Sequence, residues 1–135
     1  MVDALIPLIQ ITLQEYRIFP DERNLEKLNT LINKMMTVSE EGNSIRLKIH
    51  SLLLKTKLEF AKGEFIKVEE KLEKAESLAI EYNVEELKQK VLEEKSYYSG
   101  ELMKMKQMIN SNSTIVKRFE HLELEEYVKA VKSLL

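Results

Sequence analysis

The feature that most constrains the fold of this chain is an internal repeat of about 40 residues. Two stretches can be superimposed at this offset, and the apolar residues keep helical spacing in both. The matched positions are Leu25 with Phe65, Leu28 with Val68, Ile32 with Leu72, Met35 with Ala75, Val38 with Leu78, Ser39 with Ala79 and Asn43 with Asn83. An internal period of this length is typical of stacked helical repeats, whose extended surfaces usually hold another molecule.

Composition predicts one helical domain without cysteine chemistry. The 135 residues are 44% hydrophobic, which is enough for a core, and include only 3 Gly and 2 Pro, too few for the turns of an all-β fold. The net charge of −2, with no basic block, gives no reason to expect a nucleic-acid partner. Because there is no cysteine, thiolate zinc sites and a Cys nucleophile are excluded, and a reducing compartment is favoured.

The only long apolar run near the start of the chain covers residues 4–9. It is too short to span a bilayer, and it follows an acidic residue where a secretory signal would have a basic segment. We therefore expect a cytoplasmic protein with no membrane partner.

Hydrophobic spacing and capping residues predict five helices before the C-terminal segment. They cover residues 3–18, 22–41, 45–62, 64–82 and 84–110. Pro7 predicts that the regular part of the first helix starts close to Ile6, because proline is tolerated best in a first turn. Asp21 and Ser44 are predicted N-caps. Beyond the fifth helix, a change in the phase of the apolar residues predicts a kinked helix or two short helices that meet near His121.

The first predicted helix is apolar on more than one side. Its core-facing stripe comprises Leu5, Leu8, Ile9, Thr12, Leu13 and Tyr16. Four further apolar residues lie outside this stripe: Ile6, Ile11, Ile18 and Phe19. A helix of this kind is usually buried on more than one side, so we expect it to pack against a second copy or against a preceding repeat.

The stretch from Leu52 to Ala75 resembles a tetratricopeptide (TPR) repeat. Thr56 resembles the small residue of the first helix of that repeat, Gly63 its inter-helix turn and Phe65 the aromatic residue that follows the turn. The resemblance covers residues 45–82 well, residues 5–43 less closely, and ends near residue 100. The 40-residue period resembles the extended TPR-like units of prokaryotic signalling and regulatory proteins, which are often one part of a larger chain.

This resemblance implies an all-α fold, a TPR-like α-α superhelix of stacked antiparallel helix pairs with a long C-terminal helix and a short final helix. The implied single domain spans residues 1–135, with repeat 1 at about 3–43, repeat 2 at about 44–83 and C-terminal helices at about 84–135. The first helices of the pairs would line a concave, peptide-binding groove. The groove positions that the resemblance implies are Gln10, Arg17, His50 and Lys57, and the two basic residues predict an acidic partner.

Other candidate residues have simpler structural explanations. Met103 and Met108 lie off the main stripe of the fifth helix and are candidate interface residues, because thioethers adapt to varied partners. The glutamates of 93–94 and 125–126 are predicted on solvated faces, since adjacent residues of a helix point about 100° apart and cannot form a carboxylate dyad. His121 lies between glutamates but lacks the histidine spacing of a metal site.

The sequence therefore predicts a non-catalytic interaction or scaffold module that binds a peptide or protein segment. We expect no enzymatic activity, no metal and no cofactor, because no convergent set of reactive residues can be assembled. The alternative is a structural element that forms a homodimer through its terminal helices. A third hypothesis, an enzyme or a ligand-sensing domain, would need a deep polar pocket with converging ionisable groups.

Overall fold

A computed structural model describes residues 2–134, with the side chains of residues 2, 3 and 116 left out. This part of the chain is all-α and contains seven helices and no strand. In chain order they are α1 (Val2–Ile18), α2 (Glu22–Glu41), α3 (Ile45–Ala61), α4 (Phe65–Glu81), α5 (Glu85–Asn110), α6 (Ile115–His121) and α7 (Leu124–Lys132).

Helices α1 to α5 follow one another through three-residue connections, and each packs against the next. The two predicted N-caps are present. The Asp21 carboxylate accepts a hydrogen bond from the amide of Asn24 at 2.9 Å, and the Ser44 hydroxyl accepts one from the amide of Leu47 at 3.1 Å. These local signals explain why the bounds of α2 and the start of α3 match the prediction.

The start of α1 differs from the prediction. The helix begins at Val2, and Pro7 lies inside it. Proline removes the hydrogen bond from its own nitrogen to the carbonyl four residues earlier, which here belongs to the first turn. Because only one bond at the end of the helix is lost, α1 continues through Pro7.

Helix α3 is the centre of the fold, since it packs against α2, α4, α5, α6 and α7. One core-facing stripe was predicted, but every residue from 51 to 61 is buried. Leu53, Leu54, Leu58 and Phe60 are among the largest fully buried side chains. With neighbours on every side, α3 buries its polar residues as well as its apolar ones.

Each buried polar residue of α3 has a partner on another helix. The pairs are Ser51 with Ser39 at 2.9 Å, Lys55 with Asn29 at 2.7 Å, Thr56 with Tyr98 at 3.1 Å, Lys57 with Glu94 at 3.7 Å and Glu59 with Lys71 at 2.8 Å. Such partners are needed because an unpaired polar group in a protein interior is strongly destabilising.

The predicted break near His121 is present as two short helices, α6 and α7, separated by Leu122 and Glu123. Glu123 has φ 54° and ψ 48°, in the left-handed region, which costs a residue other than glycine about 1–2 kcal/mol. This turn sends α7 back along the molecule, where it packs against α1 and α3. The superhelix remains a prediction.

Candidate functional site

The residues predicted to line a groove lie on α1 and α3, and α7 covers this surface. The α1–α3 groove is defined by Gln10, Gln14 and Arg17 of α1 together with Lys57 of α3. Between α1 and α7 the groove leaves a cavity of about 340 Å³, whose lining includes Gln10 and Gln14. The site predicted for a separate peptide is thus occupied, in this structure, by a helix of the same chain.

Helix α7 is amphipathic, and its apolar side faces the interior. Leu124, Val128 and Val131 are buried. Its first turn carries Glu125 and Glu126, where acidic side chains interact favourably with the positive end of a helix dipole. The helix in the groove therefore combines an apolar stripe with an acidic N-terminal turn.

The acidic end of α7 is held by α1. The Arg17 guanidinium lies 2.6 Å from a carboxylate oxygen of Glu125, and the side-chain amide of Gln14 donates to the same oxygen at 3.0 Å. The Arg17 and Glu125 side chains are roughly one-third exposed. At that exposure an ion pair contributes at most about 1 kcal/mol, so it determines which helix fits more than how tightly it is held.

Lys57 was predicted to line an open groove, but its side chain is buried, with 2% exposed. Its ammonium lies among three aromatic rings, 3.9 Å from the centroid of Tyr97, 4.9 Å from that of Tyr98 and 4.6 Å from that of Tyr127. Burial lowers the pKa of Lys57, and the nearby Glu94 carboxylate opposes that shift. Since α5 and α7 surround this side chain, a peptide cannot reach it while α7 stays in place.

The prediction of a solvated position for Glu94 is wrong. Glu94 is buried rather than on a solvated face, and it accepts a hydrogen bond from the Tyr127 hydroxyl. Burial and this carboxylate raise the pKa of Tyr127, so its hydroxyl remains a donor. The signal was present in the sequence, because Glu94 continues the apolar series Leu87, Val91 and Tyr98 on α5.

His50 is half-buried on α3. Burial and the charges of Lys90 and Arg46 lower its pKa, against the opposing effect of Glu86. The groove therefore brings together Gln10, Arg17 and Lys57 next to α7, whereas His50 lies beside basic residues of α3 and α5.

The predicted interface on α1 is partly corrected. Ile6 is buried at 1% exposure and belongs to the core of the same chain, whereas Leu8, predicted in the core stripe, is 49% exposed. Ile11 and Phe19, which we expect a second copy or a preceding repeat to cover, are exposed on this chain, as is Ile18. The α1 outer face, defined by Leu8, Ile11, Ile18 and Phe19, borders a cavity of about 520 Å³ between α1 and α2 at Leu8 and Ile11.

The two candidate methionines of α5 have different environments. Met103 is highly exposed, and Met108 is half-buried. Neither is among the residues that line the α1–α7 cavity. Their role as interface residues therefore stays a prediction.

Helix α6 is fixed to the body of the domain by buried polar and aromatic contacts. The Arg118 guanidinium donates from Nε to the carbonyl of Ala61 at 2.6 Å and from Nη1 to that of Ser113 at 2.7 Å. The Phe119 ring lies 5.9 Å from the Tyr16 ring of α1. His121 shares a hydrogen bond of 2.7 Å with Glu101 of α5.

Within residues 2–134, no group of three or more His, Cys, Asp or Glu side chains is arranged to hold a metal ion. In the same range, no helix is long and apolar enough to cross a membrane.

Comparison of the chain with protein-family models, with curated proteins and with solved structures finds no match.

Proposed function

We propose that this chain is a non-catalytic protein-interaction module whose α1–α3 groove binds an amphipathic helix with an acidic N-terminal turn. One observation carries the proposal: a helix with these properties, α7, occupies the groove through Arg17, Gln14 and an apolar stripe. This occupant matches the acidic partner that the basic groove residues predict. A TPR-like superhelix, a prokaryotic source and a cytoplasmic location are parts of the same proposal.

The chemistry of α7 describes the partner in more detail. Apolar side chains at the positions of Leu124, Val128 and Val131 would supply most of the affinity, because burying each of them is worth about 1.5–3 kcal/mol. A carboxylate at the position of Glu125 would fix the register against Arg17, and a hydroxyl at the position of Tyr127 would satisfy Glu94. This is recognition of a helix in a groove.

The test uses a fluorescent peptide with the sequence of residues 122–134 and the full chain. Binding is measured by anisotropy to the wild-type chain and to the Val128→Ala variant, whose own α7 packs less well. Since the truncation removes about 1–2 kcal/mol from the competing α7, we expect the peptide to bind the variant about tenfold more tightly.

Val68→Ala, a truncation of a buried valine on α4, is the matched control and should not change peptide binding. A peptide in which Glu125 is replaced by Arg should bind more weakly than the original. The proposal fails if neither chain binds the peptide, or if the charge-reversed peptide binds equally well.

A second candidate function, self-association through α1, rests on the α1 outer face. Its four apolar side chains are 49–69% exposed, and such contiguous apolar surface commonly marks an interface. Ile18→Asp should abolish any self-association that this face mediates, whereas Ile66→Asp, at an exposed isoleucine of α4, should not. Sedimentation velocity at several concentrations distinguishes the two variants.

A further inference from the structure

The connection between α6 and α7 contains one residue, Glu123, that does not suit its backbone conformation. Within residues 2–134, positive φ values occur at Gly63, Asn83, Asn112 and Glu123. Glycine and asparagine adopt this conformation readily, whereas glutamate does not. In addition, the Glu123 side chain makes no hydrogen bond that caps α7. The turn is therefore the strained element of the C-terminal region.

Extension of this turn would join α6 and α7 into one helix over residues 115–132. Glu123 would then take the right-handed conformation, and the break in the helical hydrogen bonds would close. At about 100° per residue, the buried positions of α6 (Phe119 and Leu122) and those of α7 (Leu124, Val128 and Val131) would lie on opposite faces, about 180° apart. A straight helix of this kind can pack against two copies of the protein at once, one on each face.

The two helices are held by separate sets of contacts. Helix α6 is tied to α3 and α1 by the buried contacts of Arg118 and Phe119. Helix α7 is held by its buried apolar side chains, by the hydrogen bond from Tyr127 to Glu94 and by the partly exposed pair of Glu125 with Arg17. Opening at Glu123 would therefore move α7 alone and leave α6 in place.

We infer that α7 of one copy enters the α1–α3 groove of a second copy, and that the exchange is reciprocal. The inference rests on the proposed function and names the partner of that groove. In the exchanged dimer, each Glu125 would meet Arg17 of the other copy, and each Tyr127 would meet Glu94 of the other copy. Every contact of α7 is kept, the strain at both Glu123 positions is relieved, and the two-fold arrangement is closed.

The decisive experiment uses two full-length variants with opposite charges in the groove, Arg17→Glu and Glu125→Arg. Each variant alone places two like charges together, whether α7 is folded back or exchanged with an identical copy. In a mixed dimer, both grooves regain an opposite-charge pair. After equilibration at high concentration, native mass spectrometry of the mixture should show the mixed dimer well above the half expected from random pairing.

The matched control reverses an ion pair that lies outside the groove. Arg46 of α3 and Glu86 of α5 form such a pair within the body that does not exchange. A mixture of Arg46→Glu and Glu86→Arg should give no excess of mixed dimer. The groove experiment repeated with Ile18→Asp in both partners should still give the mixed dimer, because this exposed residue of the α1 outer face does not line the α1–α7 cavity.

Variants of Glu123 provide an independent test at the turn, and because each removes the same carboxylate from beside Arg17, the two variants are compared with each other. Glu123→Gly removes the strain of the folded-back form, so it should lower the dimerisation constant by about 30-fold or more, counting two turns per dimer. Glu123→Val should raise the dimerisation constant, because the β-branched valine tolerates positive φ poorly. Circular dichroism verifies that each variant is helical.

Strictly monomeric wild type and Glu123→Val, together with a mixture that forms no mixed dimer, would overturn the inference. If the peptide of residues 122–134 still binds in that case, the helix-binding groove stands and only its assignment to a second copy is wrong. If the peptide fails to bind as well, both proposals are wrong.

Discussion

Helices α1 and α3 occupy equivalent positions in the 40-residue repeat that the sequence predicts, yet residues at matching positions are buried to different degrees. On α3, Ser51 and Lys57 are buried, at 1% and 2% exposure. On α1, the residues at the same register are Ile11, which is 55% exposed, and Arg17, which is partly exposed. The more polar residue of the first pair lies inside the protein, and the more apolar one lies on its surface.

The cause of this difference is the number of neighbours. Helix α3 is surrounded by five other helices, whereas α1 packs mainly against α2 and α7 and meets α6 through the rings of Tyr16 and Phe119. Polar residues on α3 are tolerated because each has a partner, as Ser51 has in Ser39. Position in the stack, rather than the local hydrophobic pattern, decides which side of a helix is covered.

The largest expected difference in stability between the two helices comes from introducing a carboxylate on each of them. Leu53→Asp on α3 should unfold the domain, because an unpaired charge would enter a fully buried position at a cost of several kcal/mol. Ile11→Asp on α1 should leave the free energy of unfolding within about 0.5 kcal/mol of wild type in the monomer. Thermal melts followed by circular dichroism check both, and equal losses would contradict the comparison.

The second prediction compares the basic residues of the same register. Lys57→Met should destabilise the fold by about 3–5 kcal/mol, because the Glu94 carboxylate would be left buried without its counter-charge. Arg17→Met, which breaks a partly exposed pair, should cost at most about 1 kcal/mol. Urea denaturation gives both values.

A double variant identifies the origin of the larger loss. Lys57→Met combined with Glu94→Gln should recover much of the stability, since the uncompensated charge is removed. No recovery in the double variant would mean that the packing of the lysine chain against the tyrosine rings, not the charge, is responsible.

Local signals made the helices predictable from the sequence. Asp21 and Ser44 fix where α2 and α3 begin, and the phase change near His121 anticipated the break between α6 and α7. Such features depend on neighbours in the sequence, so they can be read without knowledge of the fold.

Tertiary arrangement determined what the sequence did not predict. The burial of Glu94 depends on Lys57 and Tyr127, which are far from it in the sequence. In the same way, the exchange of Ile6 and Leu8 between core and surface depends on which faces of α1 meet α2 and α7. The basic groove residues were identified, but the helix that covers them was not, because the return of α7 follows from one left-handed residue, Glu123.

The smallest effect is a rise in stability with pH that originates on α3. Burial lowers the pKa of Lys55 to about 8, from the usual value of 10.5. Between these two values the unfolded chain binds more protons at this site than the folded chain, so the free energy of unfolding increases with pH. From pH 8 to pH 9.5 the increase should be about 1–2 kcal/mol. Below pH 8 both states are protonated and the contribution is constant.

Denaturation at pH 7, 8, 9 and 9.5 measures this increase, and near pH 9.5 the tyrosines of the unfolded chain begin to ionise and offset part of it, because burial raises the pKa of Tyr98 and Tyr127 in the folded chain. Lys55→Met should flatten the pH dependence, though not completely, because burial also lowers the pKa of Lys57. Lys27→Met, at an exposed lysine of α2, should retain the full increase. If Lys55→Met also retained the full increase, another group would be the source of the pH dependence. Helix α3 would then tolerate a charged buried lysine as easily as α2 tolerates an exposed one.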